Sequence, residues 1–143
     1  MDTLEFKLLS VDQLSQIVTL THQLNKNRTL DYLKNLQKEM FTYNHYKCFG
    51  LYKDGDLIGV SSGWITIRLY SGKQLELDNV VIDENIQSSG MGTYFLNQIE
   101  SWAKAEGCET IELNTYINNS RSHKFYFNQG YKIIGYHFQK QIG

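Results

Sequence analysis

The segment Gln87-Ser88-Ser89-Gly90-Met91-Gly92 places two glycines among small polar residues, shortly after the dense apolar run Val80-Val81-Ile82 and directly before a helical pattern. Glycines let a backbone approach a ligand closely, and a helix start offers unpaired N–H groups with the positive end of the helix dipole. A pyrophosphate is the group that such a turn receives, although the same residues also suit a tight strand-to-helix turn without a ligand. A Walker loop is excluded because the Gly-Lys-Ser/Thr ending is missing. A dinucleotide-binding fold is excluded because the loop follows several antiparallel-looking strands in a chain too short for both halves. Upstream, strand alternation puts Glu76, Asp78 and Val80 on one face and Leu75, Leu77 and Asn79 on the other, so two carboxylates point the same way. Downstream, His123 and Tyr126 stand one helical turn apart and can share a side.

The elements that must position these residues follow from the apolar period. Leu4 to Leu9 reads as an opening strand, and Ser10 or Asp12 caps a helix with the stripe Leu14, Ile17, Val18, Thr21 and Leu24. Thr29 is the expected N-cap of a second helix through Met40, with Leu33, Leu36 and Met40 on one side. Cys48 to Tyr52 and Leu57 to Leu69 are strands joined by Asp54-Gly55, a hairpin signal because both positions tolerate positive φ. After Ser71-Gly72-Lys73 comes a strand from Leu75 to Asp83. A helix from Gly90 to Glu106, with Phe95, Leu96, Ile99, Trp102 and Ala103 at helical spacing, stops at Gly107. Thr110 to Tyr116 is then a strand, Asn119 to Asn128 a short helix closed by Gly130, and Tyr131 to Gln139 a final strand. The pattern is that of one α/β domain over residues 1–143, built round a central twisted mixed sheet with helices on both faces.

The 143 residues carry a net charge of −1 with no run of like charges, which argues against nucleic acid or an anionic membrane as partner. The N-terminus lacks the regions of a signal peptide and no apolar run reaches membrane-span length, so a cytoplasmic protein is expected. Cys48 and Cys108 lie outside any metal-ligand spacing and read as small buried or half-buried hydrophobes. His22, His45, His123 and His137 form no cluster readable from spacing, and no metal is expected.

The run from Leu77 through Asp78-Asn79-Val80-Val81-Ile82, the loop at Gln87 to Gly92, the helix closing at Gly107, and Asn119 through Phe125-Tyr126 to Gly130-Tyr131 resemble, in order and spacing, the core motifs of the GNAT superfamily of N-acetyltransferases. Within it, Ser122-His123-Lys124-Phe125-Tyr126 followed by Gly130-Tyr131 and His137-Phe138-Gln139-Lys140 is similar to the end of bacterial aminoalkylphosphonate N-acetyltransferases. The resemblance implies acetyl-CoA as co-substrate, held in a splay between the strands Leu75 to Asp83 and Thr110 to Tyr116. The backbone at Val80, Val81 and Ile82 would pair with the pantetheine arm. Amides from Gln87, Ser88, Ser89, Gly90, Met91, Gly92 and Thr93 would hold the pyrophosphate, and Asn119 and Tyr126 would meet the CoA arm. Many relatives have Arg-Gly where this chain has Gln87-Ser88, which removes a cation and predicts looser, less salt-sensitive phosphate binding.

Acyl transfer from a thioester to an amine needs a neutral amine, stabilisation of the developing oxyanion and a proton for the departing thiolate. Tyr126 matches the family position of the proton donor. Glu76 matches the catalytic glutamate of the aminoalkylphosphonate enzymes and is the first choice of base, with Asp78 second. Either carboxylate could instead bind the ammonium. The first two helices and the turn from Leu69 to Lys73 are where the superfamily sets acceptor choice, so Tyr32, Arg68, Tyr70 and His123 are candidates for the acceptor site, Arg68 as a planar fork for a phosphonate or carboxylate. The implied activity is acetyl transfer to a small primary amine: an aminoalkylphosphonate, polyamine, amino sugar or aminoglycoside. A protein or peptide acetyltransferase and a CoA-binding module without turnover remain alternatives, and a second copy of the chain is an option for assembly.

Overall fold

The structure is a computed structural model that describes residues 3–86 and 90–143. It contains two compact units, residues 1–112 and residues 113–143. The first holds strands β1 (Leu4–Leu8), β2 (Tyr46–Lys53), β3 (Asp56–Arg68) and β4 (Gly72–Ile82) and helices α1 (Leu14–Thr21), α2 (Leu30–Met40) and α3 (Met91–Ala105). Strand β5 (Thr110–Leu113) spans the division, and α4 (Ser120–Asn128) belongs to the second unit. The sheet order is β1-β2-β3-β4-β5, with β1 to β4 joined antiparallel. Helix α3 carries the chain from β4 to its neighbour β5, the crossover that a parallel pair needs, so the sheet is mixed as expected.

Local chemistry sets the boundaries. Ser10 forms a reciprocal capping box with Gln13 before α1, and Thr29 Oγ1 accepts the Tyr32 amide at the start of α2. Asp54 and Gly55 have φ of 50° and 88°, the doubly positive pair of a tight two-residue hairpin. Gly107, at φ 86°, ends α3. Helix α1 stops at Thr21, so Leu24, expected in its apolar stripe, lies beyond the helix and is exposed. On α2 the buried residue is Gln37, while Leu36 is exposed.

Each face of the sheet carries a separate core. Towards α3, Phe6 stacks on Phe49 at 5.9 Å and meets Phe95 at 6.2 Å, and Phe49 meets Trp102 edge-on at 5.0 Å. A Cβ at Gly63 would come within 2.7 Å of Phe49 and 2.8 Å of Leu75, so glycine is what lets this layer close. Towards α1, Ile17 and Leu20 pack with Tyr46, Cys48, Val60 and Val81, and Met40, Phe41 and Trp64 flank them.

Three expectations need correction. Strand alternation in β4 breaks: Ser62 faces Asp78 but Val60 faces Val81, so β4 has one residue more than β3 between these pairs. Asn79, at φ 53°, is the left-handed residue of that bulge, and it turns Val81 rather than Val80 onto the face of Glu76 and Asp78. Strand β5 ends at Leu113, not Tyr116, because the chain enters a turn in which Asn119 N–H donates to the Tyr116 carbonyl at 3.0 Å. Residues 131–139 form no strand among the described residues, since β-rich side chains make a strand only where a ladder partner is present; Ile133, Tyr136 and Phe138 are exposed.

The bulge gives a stability prediction. Asn79→Val puts a β-branched residue at positive φ and is expected to cost about 1–3 kcal/mol in urea unfolding, whereas Asn79→Gly keeps the turn and unfolds close to wild type.

Candidate active site

The bulge is tied to the helix layer by amides. Asn25 Nδ2 donates to the Thr21 carbonyl at the end of α1 (2.9 Å) and to Asn79 Oδ1 (3.2 Å). Two residues earlier, Gln23 Nε2 donates to Asp83 Oδ1 at 3.1 Å while its Oε1 accepts the Glu84 amide at 3.0 Å. The segment after α1 therefore grips both the bulge and the end of β4. The Asp83 carboxyl is lowered from its ordinary pKa, chiefly by the Asn85 amide and then by Gln23.

A cleft of about 180 Å³ opens where this bulge meets α1 and α2. Leu33, Leu36 and Met40 give it an apolar wall. Its polar side is Gln37, Asp78 and the Thr21-Asn25-Asn79 set. Asp78 is open to solvent through the cleft, yet the protein round it raises its carboxyl above the usual pKa by desolvation, with the Asn79 amide opposing the shift. Glu76 is on the same face, half-buried opposite Trp64, and does not line the cleft.

Behind the cleft runs a buried hydrogen-bond chain. Gln37 Nε2 donates to the Tyr46 hydroxyl at 2.7 Å, and that hydroxyl pairs with Ser62 Oγ at 2.6 Å. Since the phenol accepts from Gln37, its own proton is free to go to Ser62. Burial pushes the Tyr46 pKa far up, so it stays a neutral link. The Cys48 thiol is likewise pushed up, to about 12, which makes it an inert core residue.

The remaining candidate residues are distributed as follows. Gln87, Ser88 and Ser89 lie outside the described residues. Gly90, at φ 88°, precedes α3 with no side-chain cap, and the first helical bond is Tyr94 N–H to the Gly90 carbonyl, so the Met91 and Gly92 amides have no acceptor within the helix. Thr93 follows on the same turn. Strand β5 has four residues against eleven in β4, and Glu109 N–H meets the Lys73 carbonyl at 2.7 Å near the start of β4. The outer edge of β4 at Val80, Val81 and Ile82 thus extends beyond β5. Among the described residues this leaves a strand edge and a helix start with unpaired backbone groups, the kind that a pantetheine amide and a pyrophosphate require.

In the second unit, Tyr126 is half-buried against Phe125 at 5.1 Å and Tyr131 at 5.6 Å. Burial raises its pKa, so the phenol keeps its proton. Asn119 caps α4, its Oδ1 accepting the Ser122 amide at 3.1 Å. His123 Nε2 donates to the Tyr116 carbonyl at 2.8 Å. Of the remaining acceptor candidates, Tyr32 is exposed under the Arg28 guanidinium at 4.8 Å, and Arg68 and Tyr70 sit at the exposed tip of the β3–β4 hairpin, where Tyr70 donates to Glu112 at 2.7 Å. None of these three lines the cleft. Gln37 and Asn25 are the cleft residues that sequence reasoning missed; the only available signal was an amide on the apolar side of α2.

Residues 11–131 match the model of the acetyltransferase (GNAT) family, and the chain belongs to that family: it is an N-acetyltransferase that uses acetyl-CoA. It is 25% identical to an aminoalkylphosphonate N-acetyltransferase of Salmonella typhimurium over 99% of this chain and 94% of that protein. It is also 25% identical to a spermine/spermidine N(1)-acetyltransferase of Bacillus subtilis, over 93% and 90% respectively. Among solved structures it is similar to the aminoglycoside N-acetyltransferase AAC(6')-Iy in complex with CoA, with a TM-score of 0.86 and 16% identity over 99% of this chain and 96% of that one.

The raised Asp78 carboxyl gives a pH prediction. Its charge is present above its pKa and is lost on acidification at a pH above the ordinary aspartate value of about 3.9. Calorimetric binding of a cationic amine should weaken along that limb, and Asp78→Asn should flatten it.

Proposed function

We propose that this enzyme transfers the acetyl group of acetyl-CoA directly to a primary amine of a small molecule, drawn from the polyamines, amino sugars, aminoglycosides and aminoalkylphosphonates. The observation that carries the reading is the cleft at the β4 bulge, where one carboxylate stands beside an apolar wall of α2. Its volume of about 180 Å³ is below the roughly 300–1,000 Å³ of sites for drug-sized ligands and suits a short amine rather than a peptide. The family match over residues 11–131 spans both compact units and supports reading the chain as one acetyltransferase domain.

Acetyl-CoA supplies a thioester carbonyl and a thiolate leaving group. Asp78 draws the ammonium into the cleft, where it loses one proton to water to become the neutral nucleophile, and Asp78 takes the second proton that the nitrogen gives up as the C–N bond forms and the C–S bond breaks. Glu76, half-buried on the same face, is the alternative base, reached through a water. Tyr126 returns a proton to the departing sulfur; its match to the family position and its raised pKa support that role, since a phenol that stays protonated can donate across the working pH range. The Met91 and Gly92 amides and the Gly90 turn hold the pyrophosphate at the start of α3.

Thiol release from acetyl-CoA across a panel of such amines tests the assignment. Tyr126→Phe should lower kcat on the order of a hundredfold and leave acetyl-CoA affinity nearly unchanged. Wild-type turnover by that variant would remove Tyr126 from the mechanism. Thiol release only with peptides would overturn the small-amine reading.

A further inference from the structure

Residues 132–143 lie in no strand or helix, and none of their amides or carbonyls makes a backbone–backbone hydrogen bond with a described residue. Ile133, Ile134, Tyr136, Phe138 and Ile142 are 63–91% exposed there. In extended form Ile134, Tyr136 and Phe138 fall on one face, flanked by Lys132 and Lys140, while Gly135, His137 and Gln139 fall on the other. That is the pattern of a strand with one face to bury and one to leave wet. The sheet, for its part, ends at β5, whose outer edge has no strand beside it among the described residues. Between α3 and β5 lies a recess of about 260 Å³, with Ala103 and Ile111 in its lining and Glu100 and Glu109 among its polar residues. Together with Glu106 and Glu112, these carboxylates outnumber the neighbouring Lys73 and Lys104. Residues 113–143 are the opposite in charge: they carry Arg121, Lys124, Lys132 and Lys140 and no aspartate or glutamate.

We propose that residues 132–143 form an arm that adds as a strand to the outer edge of β5 in a second copy of this chain, which returns its own arm in the same way. The arm supplies the ladder that β5 leaves open, Ile134, Tyr136 and Phe138 cover the apolar part of the recess, and Lys132 and Lys140 meet its carboxylates. A second copy is the occupant because every chain carries one basic arm and one acidic edge. A two-fold pair satisfies both arms and both edges at once, whereas an unrelated partner would satisfy one and leave the other exposed. Fully extended, the arm spans up to roughly 40 Å, enough to cross to a neighbour. The pairing rests on neither the acceptor cleft nor the transfer chemistry.

Sedimentation equilibrium of the full chain, paired with hydrogen–deuterium exchange, tests this. Wild type should be a dimer at micromolar concentration, with the amides of residues 132–143 protected only as far as dimer is populated. The double variant Tyr136→Glu, Phe138→Glu sets two carboxylates against an acidic edge and removes two aromatic anchors, so it should weaken dimerisation by about a hundredfold or more. Both side chains are exposed within one chain, so the variant should keep the wild-type circular dichroism spectrum. If it fails to fold, the concentration dependence of exchange in wild type carries the test. A wild-type monomer, a folded variant that dimerises as tightly as wild type, or arm amides protected equally at every concentration, as an arm paired within its own chain would be, overturns the proposal.

Discussion

The left-handed bulge at Asn79 is the constraint on which the rest of the structure depends. One extra residue in β4 keeps Val81 in the core beneath α1 although Asp78, three residues before it, points the same way. Without the bulge, strand alternation would send either the carboxylate or the valine to the opposite layer. The conformation is uncommon for a non-glycine residue, and asparagine adopts it because its short side chain can bond locally; here that bond is to Asn25, at the end of α1. Gln23 then fixes the residues that follow β4. The bulge and the end of β4 thus share one short polar seam with the segment after α1.

The two faces of the sheet solve different problems. The face under α3 is dry and aromatic, closed by Phe6, Phe49, Phe95 and Trp102 about a glycine at position 63 that permits close approach. That layer has no chemistry and supplies rigidity. The face under α1 and α2 mixes an apolar cluster with a fully connected polar chain from Gln37 through Tyr46 to Ser62. In a medium of low polarity a hydrogen bond is strong when made and costly when missing, so such a chain holds an adjacent cleft in one arrangement. The same low polarity raises the Asp78 carboxyl, bringing its proton affinity closer to what a base needs.

The start of α3 and the edge of β4 present backbone rather than charged side chains among the described residues. The uncapped start of α3 and the edge of β4 offer amides and carbonyls, which suit pyrophosphate and pantetheine whatever side chains stand nearby.

What the sequence determined by itself is whatever is local. The Asp54-Gly55 hairpin, the Thr29 cap, the stop at Gly107 and the glycine at the start of α3 each follow from the conformational range or hydrogen-bonding reach of one or two residues, and each stands where the pattern put it. The motif order was sufficient for the family because spacing along the chain survives when most side chains change. The acceptor side was not legible. Alternation in β4 presumes an unbroken pleat, and a bulge depends on its partner strand, which no run of β4 residues encodes. Gln37 stands beside Leu33, Leu36 and Met40 on α2 with no partner visible along the chain, because Tyr46 and Ser62 are brought to it only by the sheet. Tyr32, Arg68 and Tyr70 had suitable chemistry, but side-chain chemistry does not say which way an element is turned; the packing of α2 against α1, with Gln37 bonded to Tyr46 of β2, decided that, and it set an amide at the cleft wall instead.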